Sequence, residues 1–166
     1  MIPLKPLSTE AIPAALAKAE RYRLLNEPDQ AESICEDILA AVPGHPQASV
    51  ILLLALTDQF SRGDGHLVAR AQELAARMEA RYERAYFAGL VAERRARALV
   101  DGGPVRARTA GHWLREAMEH YELAESLRPP GNDDARLRWN ACARVLNAHG
   151  ELAEQEVERT APLMLE

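Results

Sequence analysis

Aromatic side chains are scarce: two Trp, four Tyr and two Phe in 166 residues. A chain of this length can bury an ordinary core, but that core must be filled by small and medium side chains. The β-branched residues that favour strands are also few. Val, Ile and Thr together number 17, against 30 Ala and 22 Leu, both strong helix formers. An all-α fold with closely packed helices follows. Only two cysteines are present, Cys35 and Cys142, and they match no metal-ligand or redox spacing. Each falls in an apolar helical pattern, which predicts buried free thiols and a reducing compartment.

Long apolar runs are missing too. The run from Val50 to Leu56 is seven residues, far short of the ~20 needed to span a bilayer. The opening stretch MIPLKPLSTE has no apolar core of a signal peptide. The expectation is a cytoplasmic protein without membrane insertion. No Ser-His-Asp order, Gly-rich phosphate loop or paired-carboxylate motif stands out. Gly63-Asp64-Gly65 and Gly102-Gly103 lack the strand context of a nucleotide fingerprint and read as turns. The chain is therefore expected not to be an enzyme and to need no cofactor.

Charge is unevenly placed within a net −5. Residues 1–61 hold 4 basic and 8 acidic side chains, residues 62–115 hold 11 and 6, and residues 116–166 hold 5 and 11. A basic middle between acidic ends can steer an acidic partner, although solvated helix faces with i,i+4 pairs give the same pattern. The middle has few aromatic stacking partners, so nucleic acid is not expected as a ligand.

Breakers divide the helical composition at near-regular intervals. Ser8-Thr9-Glu10 can cap a first helix reaching about Leu25. After the turn Asn26-Glu27-Pro28-Asp29, a second helix runs to about Val42 and stops at Pro43-Gly44-His45-Pro46. Further helices are expected over about 46–61, 66–79, 82–100, 107–128 and 133–149. Between the last two, Pro130 lacks the amide hydrogen to continue a helix, and Gly131 permits a reversal. Asn132 or Asp133 can then cap the next helix.

Such regularity asks for a search for repeats. Ala31, Cys35, Ile38 and Pro43 share their spacing with Ala117, Tyr121, Ala124 and Pro129. A second pattern runs through Trp139, Cys142, Ala143 and Leu146, and again through Ala85, Ala88, Gly89 and Ala92. Ser49, Leu52, Leu53 and Leu56 follow it with a polar first member, and Ala15, Lys18, Ala19 and Tyr22 with a charged second one. On these residues the chain, over about 12–150, resembles the tetratricopeptide repeat family. The second repeat fits loosely, its closing helix using Leu67, Ala71 and Leu74 shifted by two residues. The resemblance implies a right-handed superhelical stack of antiparallel helix pairs, an α-solenoid of about seven helices over 1–150. Residues 151–166 would form a short helix or a disordered tail. In the third repeat Ala92 and Ala117 are 25 residues apart, where Tyr22 and Ala31 are nine apart. The extra residues are expected to lengthen both helices into an arm rich in arginine: Arg94, Arg95, Arg97, Arg106 and Arg108.

Repeat proteins of this family line a concave groove with the first helix of each pair and bind peptides there. Carried over by offset from the matched positions, that groove would include Glu20, Arg23, Val50, Leu54, Asp58, Tyr86, Leu90, Glu93, Arg97, Asn140, Arg144 and Asn147. The family's carboxylate clamp is incomplete, because Glu20 and Leu54 stand where donors are wanted. Arg136, Asn140, Arg144 and Asn147 also form a polar stripe of donors able to hold a carboxylate or a peptide backbone. The partner-binding candidates are therefore Arg23, Tyr86, Leu90, Arg94, Arg97, Arg136, Asn140, Arg144 and Asn147. The implied function is an adaptor or scaffold for a protein or peptide, an acidic one suiting the Arg-rich arm. The alternative is a structural subunit of a homo- or hetero-oligomer, docked through the arm or the apolar tail from Ala161 to Leu165. His112, Glu116 and His120 lie at i, i+4 and i+8, a spacing that can gather metal ligands, though no fourth ligand is evident. His45 and His149 fall at helix ends, near terminal carbonyls.

Overall fold

The computed structural model describes residues 2–63, 65–100, 104–149 and 152. All regular structure among them is helical. The helices are α1 (Ile12–Leu24), α2 (Pro28–Ala41), α3 (Pro46–Thr57), α4 (Gly65–Ala76), α5 (Arg81–Val100), α6 (Pro104–Leu127) and α7 (Asp134–Ala148), with 3-10 turns at Thr9–Ala11 and Phe60–Arg62. The all-α expectation holds. No helix among the described residues is long and apolar enough to cross a membrane. The chain divides into two compact units, Met1–Met78 and Glu79–Glu166.

In the first unit each helix packs on the next, and α1 also touches α3. Ser8 makes no side-chain cap; the chain tightens into a 3-10 turn instead, and α1 starts at Ile12 with Pro13 in its first turn. Its end is a Schellman motif. Asn26 takes a left-handed φ of 61°, its N–H donates to Arg23 O, and Glu27 N–H reaches back to Tyr22 O. The His45 backbone N–H donates to the carbonyl of Val42 at the end of α2, while its side chain serves the next helix. It caps α3, its Nδ1 accepting from the Ala48 N–H at 3.3 Å. Helix α3 ends four residues before the expected 61. Thr57 Oγ1 donates to Leu54 O, and the buried Gln59 amide donates to Ala55 O and Glu32. These bonds accompany the tightening into the second 3-10 turn, which Gly63 closes at φ 82°. The repeat positions Ala31, Cys35 and Ile38 are all fully buried, with Ala19, Leu53, Leu56, Phe60 and Ala71. Arg70 bridges Glu32 and Glu36 across the α2–α4 surface, and Arg62 pairs with Asp29. These pairs lie at the surface, where solvent screening leaves them little net stability.

In the second unit α5 and α6 are 20 and 24 residues long, where α1 to α4 run 12 to 14. The extra residues of the third repeat therefore lengthen both helices. Helix α6 begins at Pro104, a residue suited to a first helical position. The seam is mostly alanine: Ala85, Ala92 and Ala96 of α5 meet Ala110, Leu114, Ala117, Tyr121 and Ala124 of α6, and α7 adds Ala135 and Cys142. Small side chains at the crossing let the long helices approach closely.

The Pro129-Pro130-Gly131 joint forms as its residues dictate. Asn132 N–H donates to Pro129 O, and Gly131 sits at φ 83°. Asp133 holds the N-cap position without a side-chain cap bond, and Asn132 Oδ1, one residue earlier, accepts from the Asp134 N–H. Asp133 pairs with Arg128 and Arg136 instead. The segment expected at 151–166 lies outside the described residues, Leu152 excepted. Leu152 is buried, its N–H donates to His149 O, and its carbonyl accepts from Arg115. Gly111 on α6 leaves room for that close approach of backbone.

Candidate functional site

Tyrosine at the alanine seam of α6 brings a polar atom into an apolar layer. Tyr121 is fully buried, and a buried phenol needs a partner for its hydroxyl. Gly89 of α5 makes space for the ring: a Cβ there would lie 2.8 Å from Tyr121 Cε1. One turn further along α5, Glu93 accepts the Tyr121 hydroxyl through Oε2 at 2.7 Å. The Glu93 side chain is 1% exposed. Its other oxygen, Oε1, takes Arg97 at 2.7 Å and Arg138 of α7 at 3.4 Å. One buried carboxylate thus joins all three helices of the unit.

The electrostatics follow from that placement. Burial, then the adjoining Glu93 charge, pushes the Tyr121 phenol far above its ordinary range, so it stays a donor. Burial works against the charge on Arg138, but Glu93 and a hydrogen bond with Tyr86 outweigh it and raise its pKa. Both guanidiniums meet the one carboxylate. Glu93 is the buried member; removing one arginine leaves it the other and the Tyr121 hydroxyl, and solvent screens the exposed part of each guanidinium. Around the cluster the aromatics close ranks. Tyr86 stacks on Tyr82 with ring centroids 5.9 Å apart and lies the same distance from Tyr121, while Phe87 meets its edge.

The expected site residues divide over several environments. Tyr86 and Arg97 belong to the cluster, and Arg97 keeps 53% of its side chain exposed. Leu90 is buried at 2% exposure, so it offers no anchor on the surface. Arg94 is half-buried on the same helix. Arg23, in the first unit, lies 2.9 Å from Asp58 as an ion pair. Arg136 pairs with Glu125 at 2.6 Å and Asp133 at 3.3 Å, so its charge is engaged within the unit. Asn140 is half-buried, and Arg144 and Asn147 are exposed. The contact of α5 with α7 here runs through Arg138. Asn140 and Asn147 stand two and nine positions beyond it, on roughly the opposite side of a 3.6-residue helix. The expected α7 stripe thus lies on the side of the helix away from the Arg138 contact.

His112 is exposed and His120 half-buried, and they face Glu116 at 3.8 and 4.0 Å through separate oxygens. Among the described residues no group of three His, Cys, Asp or Glu converges as a metal site requires. In the first unit a shallow depression is lined by Leu52, Arg70, Glu73, Leu74 and Arg77. Its arginines are already paired, Arg70 with Glu32 and Glu36, Arg77 with Glu73.

Sequence reasoning missed Arg138 and the burial of Glu93. The signal available was Tyr121 itself: a tyrosine at a seam position announces an acceptor among its neighbours, and Glu93 lies one turn beyond the facing glycine. No protein family, curated protein or solved structure matches the chain.

Proposed function

We propose that this chain is a tetratricopeptide-type adaptor, a right-handed superhelical stack of helix pairs that docks a partner protein on the arginine-bearing surface of its second unit. The burial pattern supports the repeat reading. Ala31, Cys35 and Ile38 are fully buried, as are Ala117, Tyr121 and Ala124 at the equivalent spacing. Such pairs cannot bury their seams alone, so neighbours stack and leave extended faces for binding. The observation that carries the docking surface is the Glu93 cluster. It fixes Arg97 and Arg138 in place while leaving 53% and 35% of their side chains exposed. Rigid, half-exposed arginines beside a tyrosine have the composition of an interface hot spot.

The test is capture from native lysate by the tagged full chain, compared with Arg97→Gln/Arg138→Gln and Asn140→Ala/Arg144→Ala. Loss of one protein band with the first pair and retention with the second assigns the surface. Equal recovery by all three removes it.

A structural subunit is the second reading, favoured by Leu24 and Leu25. These neighbours at the end of α1 are 76% and 62% exposed, an apolar pair suited to burial against another chain. Light scattering checks it: a monomer whose mass is unchanged by Leu24→Ser/Leu25→Ser argues against this reading.

A further inference from the structure

Glu93 is costly to keep where it stands. A buried carboxylate needs ion-pair and hydrogen-bond partners merely to offset its desolvation, and an apolar side chain of similar volume would fill the space without that cost. What an apolar residue could not do is hold two guanidinium groups. Arg97 and Arg138 meet the same oxygen, Glu93 Oε1, at 2.7 and 3.4 Å. Their contacting nitrogens are therefore no farther apart than those two distances laid end to end. Each guanidinium carries five N–H donors. The shared buried oxygen occupies one from each, Tyr86 engages Arg138 as well, and both side chains keep an exposed portion.

The geometry points to Arg97 and Arg138, clamped from behind by Glu93, as a receptor for a single carboxylate on an acidic segment of a partner protein. The proposal rests on the docking surface named above and adds its chemistry. Two arginines and one glutamate leave a net charge of +1, which matches a monoanion better than a phosphate dianion. Arg97 lies in the basic stretch 62–115, where 11 arginines face 6 acids, and Arg138 in the acidic stretch 116–166, where 5 face 11, so the attraction on an acidic segment is the local one of the two guanidiniums. Arginine forks suit carboxylates because two parallel N–H groups meet its two oxygens. Glu93 is a positioning residue here. It fixes the side-chain rotamers in advance, so less freedom is lost on binding.

The experiment is isothermal titration of the full chain with a penta-glutamate peptide, acetylated and amidated so that every carboxylate is a side chain. Wild type is expected to bind one peptide. Arg97→Gln and Arg138→Gln each weaken binding about tenfold, the scale of one charge-assisted contact. Arg77→Gln, which removes the same charge from an exposed site, changes it less than about twofold. Glu93→Gln supplies the decisive sign. It makes the protein more positive, so diffuse attraction would tighten binding, whereas a lost clamp weakens it about fivefold or more. Binding by Glu93→Gln as tight as wild type, or an equal loss from Arg77→Gln, overturns the proposal. Leu114→Ala, a buried truncation on α6, serves as the stability control. It is expected to lower the melting temperature and keep the affinity. If it loses affinity in step with stability, the Glu93→Gln result reports unfolding and the clamp is overturned. Displacement of the peptide by inorganic phosphate at equal concentration would overturn the monocarboxylate assignment. Peptide binding without any captured partner would leave the receptor standing and remove the adaptor reading. A captured partner indifferent to Arg97 and Arg138 would do the reverse.

Discussion

Gly89→Ala adds one methyl group and tests the packing beneath the cluster directly. The new Cβ would meet Tyr121 at 2.8 Å from Cε1, 2.9 Å from Cδ1 and 3.1 Å from Cζ, where carbon atoms prefer about 3.5–4.0 Å. The ring must withdraw, yet it is closely held. It is fully buried, its hydroxyl is tied to Glu93 at 2.7 Å, and Tyr86 lies 5.9 Å away between centroids. Over-packing of this kind costs about 1–3 kcal/mol. Shifting the hydroxyl also weakens a hydrogen bond to a charged acceptor, worth about 1.5–3 kcal/mol when intact. In the other direction, alanine gains about 1 kcal/mol over glycine inside a helix. The net expectation is a loss of about 2 kcal/mol. For a unit of this size that lowers the melting temperature by roughly 8–16 °C, read by calorimetry so that separate transitions of the two units are visible. In a Tyr121→Ala background the ring is gone, and the same substitution becomes neutral or stabilising by up to about 1 kcal/mol. A wild-type melting temperature for Gly89→Ala, or the same loss in both backgrounds, would refute the close contact.

Other outcomes follow from single environments. Ala117→Glu forces a carboxylate into a fully buried seam and is expected to cost more than about 4 kcal/mol; Glu122→Ala, losing an exposed bond from Trp139, costs about 1 kcal/mol or less, and matching denaturation midpoints would contradict the face assignment. Gly111→Ala drives a methyl into the Leu152 carbonyl, so it should detach that residue from α6 and raise amide exchange at Leu152 while α5 keeps its protection. Burial, aided by Glu36 and Glu93 respectively, pushes the Cys35 and Cys142 thiols up to about 12. Native protein should therefore react with a thiol reagent at pH 8 far more slowly than protein in urea. Because the folded values are raised, the stability these thiols contribute is full below about pH 9 and falls as pH rises towards 12; a melting temperature that climbs across that window would contradict the sign.

Most of the fold was written locally and could be read. Breakers such as Pro43-Gly44 and Pro129-Pro130-Gly131 end helices through backbone chemistry that needs no distant partner. The periodic alanines and leucines mark the buried side, as full burial of Ala31, Ile38, Ala117 and Ala124 shows. The lengthened third pair was legible because the intervening sequence continued the helical pattern. Which residue caps was less legible. Asn132 and Asp133 carry equivalent chemistry; Asp133 took the N-cap position with its side chain in ion pairs to Arg128 and Arg136, and Asn132 supplied the side-chain bond to the Asp134 N–H.

Composition and periodicity alone determined that this chain makes helices, where they stop and which side of each is apolar, because those properties rest on neighbours within a turn or two. Tertiary structure decided what the polar residues do. Glu93 meets Tyr121 and Arg138 across 28 and 45 positions of sequence, and only the crossing of α5, α6 and α7 brings them together. The same crossing turned Glu93 from a groove residue into a buried anchor and buried Leu90 rather than exposing it. It also brought Arg138, not Asn140, against α5, since a helix rotates 100° with each residue and its packing partner selects which side is used.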